Sequence, residues 1–169
     1  LAWITRENKT DYQKQVLSQQ QYSSTTIPYR RGNILDAKGT RLATSEKVYN
    51  LVIDAKVMNY RPQYLEPTLK ALGEHFDLDM TAVRDHVTTN KTSSWYVPLR
   101  QLTYEEISGF QEAQSADSNI QGVWFEEEYR RVYPYSSLAA DVIGFSGMDN
   151  AGSYGLEEYY NDILNGING

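Results

Sequence analysis

Cysteine is missing from the 169 residues altogether, and histidine occurs twice, as His75 and His86. The first absence excludes disulfides, thiolate zinc sites and cysteine nucleophiles. The two histidines fall on separate predicted helices without an HExxH spacing, which argues against an imidazole metal site. Positive charge is not in excess either. The net charge is −6 and the isoelectric point about 4.9, so there is none of the basic stripe that a nucleic-acid binder needs. No apolar run approaches the roughly 20 residues of a membrane-spanning helix. Phenylalanine is scarce, four residues against fourteen tyrosines; tyrosine combines contact area with a hydroxyl and suits half-exposed sheet faces and interfaces. What remains is an ordinary globular composition, long enough to bury a sizeable core.

The pattern of that composition changes along the chain. Residues 7–26 are polar with sparse apolar positions, and residues 1–26 are read as a polar stalk rather than a core element. The chain opens on Leu1-Ala2-Trp3-Ile4 without an initiating methionine and is read as a piece of a longer protein that follows a membrane anchor. After Pro28, the stretch Gly32–Thr44 holds Ile34 and Leu35 before an Asp36-Ala37-Lys38-Gly39 turn signal, and Leu42 after it. Asp36 can bond its own turn backbone and Gly39 can take a positive φ, so a hairpin is predicted. Residues 47–55 are β-branched and aromatic, a buried strand. From Pro62 to Asn90 the apolar residues Leu65, Leu69, Leu72, Phe76, Val83 and Val87 recur at helical spacing. A short strand containing Trp95 and Val97 follows, then a helix that starts at Thr103 with Glu106 completing a capping box. Residues 122–134 and the Ile143-Gly144 phrase return to strand character, and a last helix runs from Tyr154 to a Gly166 cap.

The fold class is therefore α+β: a strand-rich base, residues 27–59 and 119–169, with a mainly helical lobe, residues 60–118, inserted between its strands. The lobe's apolar positions are expected to form a small core of their own, joined to the base by polar or proline-containing connections that let it hinge.

The motifs of chemistry are absent. There is no P-loop and no GxGxxG, and the glycine-rich Gly144–Gly155 stretch has no lysine after a glycine to hold a phosphate. Glu126, Glu127 and Glu128 are consecutive, so a strand sends them to alternating faces rather than into a facing carboxylate pair. The SxxK, SxN and KTG motifs of serine acyltransferases are missing too: Ser45 stands only two residues before Lys47, and Lys91-Thr92 lacks the glycine. No catalysis, cofactor or metal is expected of this chain.

Two phrases about a hundred residues apart resemble one family. The first is Arg31, Gly32, Ile34, Asp36, Gly39, Leu42 and Ala43. The second is Arg131, Tyr133, Pro134, Ala139, Ala140, Ile143, Gly144, Gly155, Leu156, Glu157, Leu164, Gly166 and Gly169. Together they are similar to the N-terminal, non-catalytic module of class B penicillin-binding proteins. Residues 27–169 carry the likeness, the middle lobe in layout alone. Three positions depart from the family phrase: Ala37 and Lys38, where arginine and asparagine are commoner, and Asp141, where a histidine often stands.

The resemblance implies a pedestal, or dimerisation domain, of a membrane-anchored protein whose D,D-transpeptidase domain cross-links peptidoglycan and is acylated by β-lactams. It implies a place on the extracytoplasmic face of a bacterial membrane, touched only through an upstream helix. The partners it implies are SEDS-type glycosyltransferases or other cell-wall synthesis proteins, and a homodimer. The arginine pairs, each beside a chain reversal, are expected to hold the architecture together rather than grip a ligand. The alternative is a free-standing extracytoplasmic module that binds peptidoglycan or a protein partner.

Overall fold

The computed structural model describes residues 28–135, 142–147 and 151–167. The proposed stalk and Ala139, Ala140, Asp141 and Gly169 lie outside the described residues.

The organising element is a long strand, β2 (Arg41–Ile53), preceded by β1 (Ile34–Leu35). The turn between them forms as its sequence predicts. The Gly39 N–H donates to the Asp36 carbonyl, and the Asp36 carboxylate accepts from the Lys38 and Thr40 N–H groups. The Thr40 amide leads the interactions that hold the Asp36 carboxyl below the usual range. Strand β3 (Tyr96–Leu102) pairs antiparallel with the far end of β2, from Tyr49↔Leu102 to Ile53↔Tyr96, with irregularities in register. On the opposite side of β2 lies β4 (Val123–Val132), antiparallel and in unbroken register from Thr44↔Val132 to Ile53↔Val123.

The helices follow the periodicity. Asp54 closes β2 and caps α1 (Ala55–Met58) by accepting from the Val57 N–H. The helical stretch then divides. Its first part, α2 (Pro62–His75), has proline in its first turn, where the missing N–H costs nothing. Its second, α3 (Met80–Thr89), is capped by the Asp79 carboxylate on the Thr81 and Ala82 amides. In α4 (Tyr104–Ala116) the capping box is complete: Thr103 accepts from the Glu106 N–H and Glu106 accepts from the Thr103 N–H. Past β4 come two short helices, α5 (Gly155–Tyr159) and α6 (Asn161–Leu164).

The core corrects one expectation. The helical segment does not keep a core to itself. Leu69, Leu72, Val83, Val87, Ile107 and Phe110 form one buried cluster with Leu51 and Ile53 of β2 and Val123 at the start of β4. Phe110, Phe76 and Phe125 pack ring against ring, centroids 5.5–6.2 Å apart. The reason is alternation: Leu51 and Ile53 on β2, and Val123 and Phe125 on β4, turn apolar side chains to one face of the sheet, and the helices cover it. Two local readings also change. Val142 and Ile143 lie in a helical turn rather than a strand. The last helix ends at Asn165 in extended backbone, and Gly166 packs against the Tyr29 side chain instead of capping it.

Candidate functional site

At the end of the sheet away from the helical core, residues far apart in sequence meet in a buried polar junction. Arg31 and Glu157 are both fully buried. The Arg31 Nε donates to Glu157 Oε2 at 2.7 Å, and its Nη2 donates to the Glu157 carbonyl at 2.8 Å. Its Nη1 donates to Asn161 Oδ1 at 3.0 Å and to Asn165 Oδ1. The second carboxylate oxygen, Oε1, accepts from Arg131 Nε at 2.7 Å. One carboxylate thus sits between two guanidinium groups, and Arg131 is itself only 4% exposed.

Backbone groups complete the arrangement. Arg131 Nη1 donates to the Gly32 carbonyl at 2.7 Å and to Ser45 Oγ at 3.1 Å, and that hydroxyl donates to the Arg31 carbonyl at 3.0 Å. The Gly32 N–H donates to the Leu164 carbonyl. The Tyr133 hydroxyl accepts from the Ser146 N–H at 2.8 Å and donates to Glu157 Oε1 at 3.3 Å. Asn161 Oδ1 also accepts from the Gly152 N–H. A surplus of buried positive charge is tolerated because carbonyls and amide oxygens converge on both guanidinium groups. The junction ties the segment before β1, the middle of β2, the end of β4 and the α5–α6 pair to one another.

Glycine makes the approach of those segments feasible. Gly144 has φ +76° and Gly155 φ +61°, and each meets the other's backbone. A Cβ on Gly144 would stand 1.8 Å from the Tyr154 carbonyl oxygen, and one on Gly155 would stand 2.4 Å from that of Val142.

Of the positions singled out in sequence, the structure brings Arg31, Gly32, Arg131, Tyr133 and Glu157 into contact, with Gly144 and Gly155 holding the neighbouring crossing. Asp36 and Gly39 form the β1–β2 turn outside the junction. Pro134 is exposed after β4, Leu156 is half-buried on α5, and Gly166 rests on Tyr29. Each arginine pair divides its labour: Arg30 and Arg130 are exposed while Arg31 and Arg131 are inside. The sequence reading missed Ser45, Asn161 and Asn165. The four-residue spacing of the two asparagines, which sets them on one side of a helical turn, was the available signal.

This chemistry holds parts together: the hydroxyls, carboxylate and guanidinium groups of the junction bond one another and the backbone of four chain segments. The three consecutive glutamates are engaged separately: Glu126 accepts from Trp95 Nε1, Glu127 from Lys47 Nζ and Glu128 from Asn50 Nδ2. Among the described residues no three metal-ligating side chains converge, and no helix is long and apolar enough to cross a membrane.

Fold and junction define an α+β scaffold module fastened by a buried ion-pair junction. The model of the penicillin-binding protein dimerisation domain matches residues 26–169, and the chain belongs to that family. Among curated relatives, it is similar to stage V sporulation protein D of Bacillus subtilis, 33% identical over 150 residues, which covers 86% of this chain and 22% of that protein. It is 31% identical over 147 residues to a probable peptidoglycan D,D-transpeptidase, PenA, of Neisseria meningitidis, covering 85% and 23% of the two chains. The chain spans under a quarter of the length of these relatives. Among solved structures, it shares its fold with penicillin-binding protein 2X from Streptococcus thermophilus, with a TM-score of 0.70 at 18% identity over 86% of this chain and 24% of that one. A complex of penicillin-binding protein PBP2 with MreC from Helicobacter pylori matches with a TM-score of 0.58 at 18% identity, over 85% and 29%.

Proposed function

We propose that this chain is the non-catalytic pedestal of a membrane-anchored penicillin-binding D,D-transpeptidase on the extracytoplasmic face of a bacterial membrane. Its task is to carry a catalytic domain that lies outside this sequence and to meet other proteins of peptidoglycan synthesis, among them a SEDS-type glycosyltransferase and a second copy of itself. The division of labour follows the strands: the junction end, with residues 27–59 and 119–169, is the mount, and the helical segment, residues 60–118, is the head that partners touch.

The observation that carries this reading is what stands beside the junction. Tyr159 and Ile163, four residues apart on α5 and α6, are 80% and 77% exposed, and Ile167 beyond them is 95% exposed. An apolar stripe of this kind, fixed to a rigid polar junction, suits a mount for a neighbouring domain. Relatives about four times as long, named as transpeptidases, agree with a catalytic domain elsewhere in the parent.

The test is made on the parent protein. Tyr159→Ser with Ile163→Ser is expected to loosen the attachment of the catalytic domain, seen as faster proteolytic separation of the two parts and a lower melting temperature for the catalytic part. Unchanged proteolysis and melting would overturn the mounting role. The isolated chain is expected to stay unlabelled by fluorescent penicillin, and a stoichiometric adduct on any serine of it would overturn the non-catalytic reading.

A further inference from the structure

The sheet has a second face, turned away from the helices. Leu51 and Ile53 point to the helical core, so Val48, Asn50 and Val52 of β2 point the other way, with Glu128, Glu126 and Trp124 opposite them on β4. Val48 and Val52 are fully buried there although they stand outside the helix-covered cluster. Trp95 supplies part of the cover. It directly precedes β3, on one side of β2, and its indole N–H donates at 3.0 Å to Glu126 Oε1 on β4, on the other side. To make that bond the ring lies across β2, over the face that holds Val52. Trp95 is nonetheless 55% exposed. One side of the indole rests on the sheet, and the other is held open to solvent in a fixed orientation.

The polar groups around this ring are almost wholly acceptors. The indole N–H is spent on Glu126. Asn50 is buried and engaged at both ends: its Nδ2 donates to Glu128 Oε2 at 2.6 Å, and its Oδ1 accepts from the Gln101 N–H at 3.0 Å. What remains is one oxygen on each carboxylate, Glu126 Oε2 and Glu128 Oε1, with no donor among the described residues. The neighbouring cations of β2 and β4 are committed elsewhere, Lys47 to Glu127 at 2.8 Å and Arg130 to Glu46 at 3.5 Å. A ligand for this face must therefore bring donors, positive charge and a flat group to lie on the ring. A guanidinium group is planar, carries five N–H donors and no acceptor, and stacks on aromatic faces. Its charge is drawn both by the indole face and by the two carboxylates. A sugar ring fits less well, because its hydroxyl oxygens would meet acceptors without donors to match.

We infer that this face receives an arginine side chain of a partner protein, its guanidinium stacked on Trp95 and donating to Glu126, with Glu128 alongside. The inference rests on the reading of residues 60–118 as the head that partners touch. It sets the contact where that segment meets the sheet and names the chemistry of what is met.

The test is a titration of the purified chain followed by the indole N–H signals of its tryptophans in nuclear magnetic resonance, the Trp95 signal being assigned with Trp95→Phe. Three probes are compared: the peptide Gly-Arg-Gly-Arg-Gly, the same peptide with citrulline for arginine, in which a neutral urea keeps the shape of each guanidinium, and chitotriose. The arginine peptide is expected to shift the Trp95 signal saturably and to bind at least about tenfold more tightly than the citrulline peptide. Glu126→Gln, which keeps an acceptor for the indole N–H, is expected to weaken that binding about threefold with unchanged circular dichroism. No saturable shift at Trp95, or equal binding of the citrulline peptide, overturns the proposal. So does undiminished calorimetric binding of the arginine peptide to Trp95→Leu, which would mark attraction to the net charge of −6 alone. A shift produced by chitotriose and not by the arginine peptide gives the face to a glycan and overturns it as well. Each of these failures leaves the mounting of a catalytic domain, tested at Tyr159 and Ile163 of the parent, untouched, and loss of the mounting role leaves the titration as it was.

Discussion

A single carboxylate, Glu157, holds two arginines that arrive from different parts of the chain. Removing one partner from a buried ion pair is far costlier than replacing the whole pair, because the remaining charge keeps its desolvation penalty without its countercharge. Glu157→Gln keeps the shape and leaves Arg31 and Arg131 facing each other across a neutral amide. It is expected to lower the unfolding free energy by about 3–5 kcal/mol, read as a shift in urea midpoint at unchanged slope. Arg130→Gln, at the exposed neighbour, is expected to change it by about 0.5 kcal/mol or less, since its contact with Glu46 is a 3.5 Å surface pair. Gly144→Ala is expected to cost about 2 kcal/mol or more in the same measurement, because the added carbon has a carbonyl oxygen where it must go and the backbone is in the left-handed region.

Elements were legible where one local signal decided them. The capping box at Thr103 and Glu106, the Asp36–Gly39 turn and residues 47–53 of β2 are written in a few adjacent residues, whereas β2 also takes in residues 41–46 and gives up Asp54 and Ala55 to the helix that Asp54 caps. The polar junction was legible only as a set of arginines and glycines at reversals. Its geometry depends on contacts across 126 residues, and Ser45, Asn161 and Asn165 look like ordinary surface residues until the chain closes around them. The helical segment's own core was misread for a related reason: periodicity tells which face of a helix is apolar, not which element covers that face. At this scale Thr103→Ala is expected to cost about 1 kcal/mol through loss of the α4 cap. The Asp36 and Glu106 carboxyls lie below their ordinary range, chiefly through hydrogen bonds from the Thr40 and Thr103 amides. Their folded-state pKa values are below the unfolded ones, so the support they lend the turn and the cap is present at neutral pH. It is lost as the pH falls through about 4 and below. Acid titration of the α4 amide signals in Glu106→Gln should lack the low-pH step that the unaltered chain shows, while Thr103→Ala, which keeps the main-chain donor, should retain it.

For the whole molecule, the joint core means that helices and sheet should melt together. Leu51→Ala empties a fully buried site at the contact of β2 with the helices. It is expected to cost about 2–5 kcal/mol and to lower the helix signal and the tryptophan signal in one transition. Amides at Leu69–Leu72 and Ile107–Phe110 should exchange as slowly as those at Leu51–Ile53; exchange tens of times faster in the helices would restore the picture of a lobe that opens separately. The junction at the opposite end has a consequence in time as well as in space. At ordinary ribosomal speeds of 5–20 residues per second, roughly 6–25 s separate the synthesis of Arg31 from that of Glu157, 126 residues later. During that interval the earlier strands and helices can assemble while Arg31 waits in water; Arg131 follows 100 residues after it and only 26 before Glu157. Glu157 is then the keystone, the last charge to be set, and a nascent chain stalled before it would hold two guanidinium groups with an open crown between them.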